Sequence, residues 1–372
     1  MEIGITTDII DSTKYPKGVF YYVRYLIKNI SKIQSNHNFH LIHYHQNQDS
    51  IYQLGFDEIL LKPYPIPVPT VSKLLTNYIK SPALLKNLDI IHFPEFRLPW
   101  FPLFFRSSAK KVLTLHGGRL WVPPQSKPKI YRKPKAWMLT KFLALTFPLM
   151  KDKIDMYIAV SHFLKWEMME NLKIPEEKIK VIHLASDEKF KPQKTEKEGI
   201  IISDTPIPEL IEIYYKLGKK GIKHKLVIFS MREYGYENAK EMVKKLGLEK
   251  EVIFAGYVSD DELVKLYNTA DLYLRLPLVE TFGIPPLEAM ACGCPVVTTN
   301  VGSLPEVVGD AGILKNPDDI DGIVKAVHEV LMNEGVREDM IKRGLERAKM
   351  FSWEKTAKET MKVYEEVYNS NS

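Results

Sequence analysis

Residues Leu272 to Gly302 read LYLRLPLVETFGIPPLEAMACGCPVVTTNVG. Leu272, Tyr273 and Leu274 are the end of a buried strand, stopped by Leu276-Pro277. A turn follows through Glu280-Thr281-Phe282-Gly283. Pro285 and Pro286 pre-set φ for the first turn of a short helix over Leu287–Ala291. Gly293 closes that helix, and Pro295-Val-Val-Thr-Thr is the next strand. Strand, turn, helix and strand at this spacing predict parallel pairing in an α/β sheet. Two carboxylates flank the turn: Glu280 before Gly283, and Glu288 just inside the helix, with seven residues between them.

Those residue types at that spacing suit a nucleotide sugar. A helix N-terminus offers free N–H groups and a partial positive charge, hence a phosphate seat. Gly283 allows close backbone approach because it has no Cβ, and Thr281, Phe282 and Ile284 surround it. An ionised carboxylate accepts from both hydroxyls of a vicinal diol. Glu288 is therefore read as holding a ribose and Glu280, across the phosphate seat, as holding the second sugar.

The stretch Glu280-x7-Glu288, running on through NVGSLPEVVGDAG (Asn300–Gly312), resembles the signature of the retaining GT-B glycosyltransferases of family four. Val160-Ser161 within Asp155–Phe190 looks like the segment before that family's interdomain linker. Ile253-Phe-Ala-Gly-Tyr-Val258 looks like its element passing the nucleotide base. The resemblance implies two Rossmann-like, doubly wound parallel-sheet α/β domains facing a central cleft. It implies transfer of a hexose from a GDP- or UDP-sugar to a hydroxyl of a glycan or lipid-linked acceptor, by a front-face route in which the departing phosphate helps deprotonate the acceptor. Donor contacts would fall on Gly256, Tyr257 and Val258 for the base, Thr281 to Ile284 for the phosphates and Glu288 for the ribose. Glu280 and His116 would be the catalytic pair on the transferred sugar.

Three departures from that pattern carry consequences. The first turn usually holds two glycines; here Gly18 matches the first, but Phe20 stands at the second, weakening a phosphate contact at Gly18. Gly117 follows His116 where an Asp is usual. The loop after strand Gly199–Ile202 reads Ser203-Asp-Thr-Pro-Ile-Pro-Glu209, without the Arg and Lys that would meet the leaving diphosphate. Developing charge must be met electrostatically, so Arg275 and Arg232 are the nearest candidates. The same gap motivates an alternative: a weakened GT-B protein that binds a nucleotide sugar or a partner without efficient turnover.

A chain of 372 residues fits two domains. The domains are placed at 1–187, with a crossover helix at 353–369, and at 199–352. They are joined by the charged, aperiodic linker 188–198. Residues 1–185 hold 26 basic and 14 acidic side chains, net +12; residues 186–372 hold 26 and 32, net −6. A basic first half suggests anionic partners such as lipid headgroups, a lipid-phosphate acceptor or nucleic acid; the resemblance implies the lipid or glycan kind and not nucleic acid. Arg97–Arg106 and Lys129–Pro148 interleave Trp and Phe with Lys and Arg, as a peripheral membrane contact requires. No apolar run reaches eighteen residues, and Glu2 and Asp8 leave no basic signal-peptide n-region. A cytoplasmic chain is expected, with peripheral contact on the inner face of the membrane. Cofactor and metal are both expected to be none. Cys292 and Cys294 lack further ligands, and Asp319-Ile-Asp321 reads as the start of a helix. His92 and His162 are read as structural.

Overall fold

The computed structural model describes residues 1–12, 18–44, 49–117, 146–229 and 235–370. They divide into two compact units. Described residues up to Leu184, with Trp353 onward, form the first; Ala185–Ser352 forms the second.

In the first unit β1 (Glu2–Thr6), β2 (Asn38–His43), β3 (Asp57–Leu60), β4 (Ile90–Phe93), β5 (Lys110–Leu115), β6 (Met156–Ala159) and β7 (Ile179–Val181) make one sheet. Its order is β3-β2-β1-β4-β5-β6-β7, and every pair is parallel. The second unit repeats the plan with β8 (Ile200–Ser203), β9 (Lys225–Phe229), β10 (Val252–Gly256), β11 (Leu272–Arg275), β12 (Val296–Thr299) and β13 (Ile313–Lys315). Here the order is β10-β9-β8-β11-β12-β13, again all parallel. Strands of such sheets are covered on both faces and read as apolar runs; all four residues of β8 are buried. Helices Pro208–Lys219 and Ile320–Met332 turn Leu210, Ile213 and Leu217, and Ile323, Val327 and Val330, onto a core shared with Leu226, Leu272 and Val297.

The last helix, Trp353–Asn369, packs within the first unit. Its Tyr364 hydroxyl lies 2.7 Å from His92 Nδ1 in β4, and the Trp353 ring stacks on Tyr25 at 5.2 Å. His92 is fully buried, and burial lowers its pKa to about 3, so it is a neutral core residue. Residues 188–198 form no regular element, yet Asn268 holds them down: its Nδ2 donates to the Lys191 carbonyl at 3.2 Å and its Oδ1 accepts from Gln193 N–H at 2.6 Å.

Two expectations need correction. The helix after Gly283 spans Ile284–Ala291 and so begins three residues before Leu287. Its first turn contains both prolines, whose missing N–H groups have no intrahelical partner to lose there. In Arg97–Arg106, Trp100 and Phe104 are core residues at 1% and 2% exposure rather than surface aromatics. Trp100 turns inward because its Nε1 donates to Asp8 Oδ1 at 2.9 Å. Of Lys129–Pro148, all but the last three residues lie outside the described residues. Among the described residues no helix is long and apolar enough to cross a membrane.

Candidate functional site

In the second unit the strand order reverses between β8 and β11, and open α/β sheets bind ligands beyond the carboxyl ends at such a reversal. Asp204 follows β8 and Arg275 ends β11. Arg275 is 3% exposed. Its Nε donates to both Asp204 oxygens, at 3.1 and 3.2 Å, and its Nη1 to Glu280 Oε2 at 2.5 Å. The Tyr273 hydroxyl adds a bond to Asp204 Oδ1 at 2.9 Å. Burial disfavours the guanidinium charge, but the two carboxylates outweigh it and hold the proton more tightly than usual. Arg275 is thus already balanced by two anions. These bonds tie both Asp204 and Glu280 to the end of β11. Arg232 lies outside the described residues.

The Glu280 loop is held at several points. Its Oε1 accepts from the Thr281 N–H at 3.1 Å, and its carbonyl from the Ser303 N–H at 3.1 Å. Ser303 Oγ also donates to the Phe282 carbonyl at 2.8 Å. Gly302 has φ +59, and a Cβ there would fall 1.9 Å from the Glu280 oxygen, so no other residue fits. Gly283 caps the helix with φ +103. Two of the helix's four N-terminal N–H positions are the prolines 285 and 286, so the phosphate seat offers fewer donors than an ordinary helix start. The donors that remain at that end are Gly283 and Ile284, since Leu287 N–H belongs to the first helical turn.

Glu288 is the fifth helical residue, beyond the first turn, and half-buried. Its pKa rises to about 8, chiefly from burial, then from Asp260, with Asp187 and Asp204 adding to the effect and Lys189 opposing it. Lys189 is itself engaged by Asp260 and lies 3.7 Å from Asp187. Gly256 ends β10 with φ +69 and open space about it, after a register shift from Phe254. Tyr257, more than half exposed, and the half-buried Val258 follow. They sit two strands from β8, about 10 Å away by the ordinary strand spacing, on the same carboxyl edge as Asp204 and Arg275.

In the first unit His116 lies one residue past β5. Its Nε2 pairs with the Pro94 carbonyl at 2.9 Å, which assigns the proton to Nε2. The ring meets Tyr22 edge-on at 4.7 Å, and burial lowers the pKa to about 4. Gly18 opens the helix Gly18–Ile30; a Cβ there would meet nothing within 4 Å, so neither packing nor backbone demands glycine. Sequence reasoning missed Asp8 at the end of β1, which is buried and accepts from Arg97 Nη1 at 2.6 Å as well as from Trp100. It also missed Asp204, whose partners are 69 and 71 residues away in the chain. Asp319 caps its helix through Gly322 N–H at 2.9 Å, and Asp321 pairs with Lys216 at 2.8 Å. Cys292 and Cys294 are buried thiols with pKa pushed up to about 12.

Comparison with known proteins places the chain in a family. Residues 199–347 match the glycosyl transferases group 1, and residues 16–189 match glycosyltransferase family 4. The chain is 29% identical over 294 residues to O-antigen chain mannosyltransferase B of Escherichia coli, covering 74% of each protein. It is 27% identical over 339 residues to N-acetyl-alpha-D-glucosaminyl L-malate synthase of Bacillus anthracis, covering 84% of each. Anabaena HepE, solved with UDP and glucose, superposes with a TM-score of 0.75 over 98% of this chain and 99% of that one, at 15% identity. That likeness is one of fold.

Proposed function

The chain belongs to the GT-B glycosyltransferases of family four, and from that premise we propose that it moves a hexose from a GDP- or UDP-sugar to a hydroxyl of a glycan or lipid-linked acceptor, with retention at the anomeric carbon. The observation carrying this reading is the pair Glu280 and Glu288 on either side of the Gly283 turn, at the β8/β11 reversal. Arg275 and the Thr281 N–H fix both Glu280 oxygens, so the carboxylate can meet sugar hydroxyls without first being ordered. Glu288 takes the ribose diol, and Gly256 to Val258 pass the base. The backbone at Thr281, Phe282, Gly283 and Ile284 receives the diphosphate. His116 acts on the transferred sugar as a neutral imidazole. The likeness to an O-antigen chain mannosyltransferase supports mannose as the hexose and a growing polysaccharide as the acceptor.

The test is donor turnover with GDP-mannose, UDP-glucose and UDP-N-acetylglucosamine in parallel, with Glu280→Ala as control and the product anomer assigned by NMR. Turnover of one donor well above the control, with the α configuration kept, is expected. The pairing of Arg275 with Asp204, in a loop that carries an anion where the family carries cations, favours a second reading: binding without efficient turnover. Donor binding with wild-type turnover equal to Glu280→Ala would select it.

A further inference from the structure

The helix Pro69–Ile79 is built inside out. Its polar residues face the interior: Ser72 is 2% exposed, and Thr76, Asn77 and the following Ser81 are 0%. Its apolar residues face outward, with Val71 at 42%, Leu75 at 36%, Tyr78 at 52% and Ile79 at 54%. These fall at i, i+4, i+7 and i+8, a single helical stripe. Val68 before the helix and Leu84 after it, at 51% and 54%, lengthen the row of exposed apolar side chains. A helix on a water-facing surface carries the opposite arrangement.

Hydrogen bonds specify this orientation. Ser72 Oγ donates to the Tyr64 carbonyl. Thr76 Oγ1 donates to the Ser72 carbonyl at 2.9 Å and accepts from Tyr64 N–H at 3.1 Å. Asn77 Nδ2 reaches the Tyr44 hydroxyl and the Pro99 carbonyl, each at 2.5 Å, and Ser81 Oγ donates to Asn77 Oδ1 at 2.9 Å. Rolling the helix to bury Leu75 and Ile79 would strand these groups without partners, which costs more than the apolar burial returns. The apolar stripe is therefore held outward.

Charge names the occupant. From Lys62 to Leu88 the chain has four lysines and no Asp or Glu. Arg106 lies 4.8 Å over the Tyr78 ring, next to the exposed Phe105, and Lys80 lies 4.0 Å over Tyr64. Apolar side chains ringed by cations match the acyl boundary and headgroups of an anionic bilayer. A second copy docked on the same face would bring like charges together. We propose that the Val71–Leu75–Tyr78–Ile79 face docks onto an anionic lipid surface, its stripe entering the acyl boundary and its lysines pairing with headgroups. This surface centres on a helix that the sequence had not marked for membrane contact, with Phe105 and Arg106 of the marked Arg97–Arg106 at its edge, and it holds whichever donor the enzyme uses.

The test is co-sedimentation of the full chain with vesicles of phosphatidylcholine alone, or mixed with phosphatidylglycerol, at low and high salt. Binding to the mixed vesicles at low salt is expected, with Val71→Gln/Leu75→Gln/Ile79→Gln weakening it about tenfold and Lys80→Glu/Lys86→Glu removing the preference for the anionic lipid. As a check independent of the triple variant's folding, Ile79→Cys is labelled with an environment-sensitive dye, to which the two buried native thiols are inert. Its emission should shift to the blue with mixed vesicles. No sedimentation above the phosphatidylcholine control, an unshifted dye, or a wild-type dimer in light scattering that the triple variant turns monomeric would each overturn the proposal.

Discussion

Binding of the donor should release a proton from Glu288. This carboxyl has a pKa of about 8, chiefly from burial and then from Asp260, with Asp187 and Asp204 adding to the effect and Lys189 opposing it. At pH 7 it is therefore about 90% protonated, and ionising it costs about 1.4 kcal/mol. A ribose diol donates two hydrogen bonds to the ionised form, which favours that form. The expected release is close to one proton per nucleotide sugar at pH 7, falling toward zero above pH 8, and affinity should rise up to about tenfold per pH unit below 8. The assay is titration calorimetry in two buffers of different ionisation enthalpy. Nucleotide sugars are the right ligands because neither phosphate of a diphosphate diester titrates in this range. Glu288→Gln should abolish the buffer dependence. Equal heats in both buffers, or a release that survives in Glu288→Gln, would refute the reasoning. The same shift bears on stability. A carboxyl raised from 4.5 to about 8 binds more protons folded than unfolded between those values. Its contribution is thus fully present below about pH 4.5 and is lost as pH climbs to about 8. Glu288→Gln should flatten that window in urea denaturation.

Four further outcomes follow from the geometry. Arg275→Met leaves Asp204 and Glu280 uncompensated beside each other and should destabilise the second unit by about 3–5 kcal/mol, read from the denaturation midpoint; an unchanged midpoint would remove Arg275 from its positioning role. Gly302→Ala forces a left-handed φ costing about 1–2 kcal/mol and drives a methyl into the Glu280 carbonyl, so kcat should fall along with stability. Asn268→Ala should cost roughly 1–3 kcal/mol and speed limited proteolysis within 188–198, while cleavage no faster than wild type would show that the linker is held by other contacts. His116, with pKa near 4, stays neutral through physiological pH, so kcat/KM should show no histidine limb between about pH 5 and pH 8; a limb lost in His116→Asn would contradict this.

What was legible in the chain depended on how local the cause was. Strands of doubly covered parallel sheets must be apolar along their whole length, so β8 to β12 stand out as runs, and the strand–helix alternation yields the fold class. The two glutamates bracketing a glycine turn could be read from spacing alone, because the turn and helix that hold them are contiguous. The pairing of Arg275 with Asp204 was not legible, because Asp204 enters from a strand 71 residues earlier; only the sheet order β8-β11 makes them neighbours. The helix of residues 69–79 was hidden behind the proline-rich 62–69, and its outward stripe could not have been inferred from periodicity. A hydrophobic period of 3.6 says that an apolar face exists but not which way it points, and the direction was set here by Tyr44, Tyr64 and Pro99, groups that are polar partners only in the folded sheet. The reduced phosphate seat is the opposite case. Pro285 and Pro286 were in plain view, and counting their absent N–H groups was sufficient to see that a diphosphate bound there would need other donors than an ordinary helix start supplies.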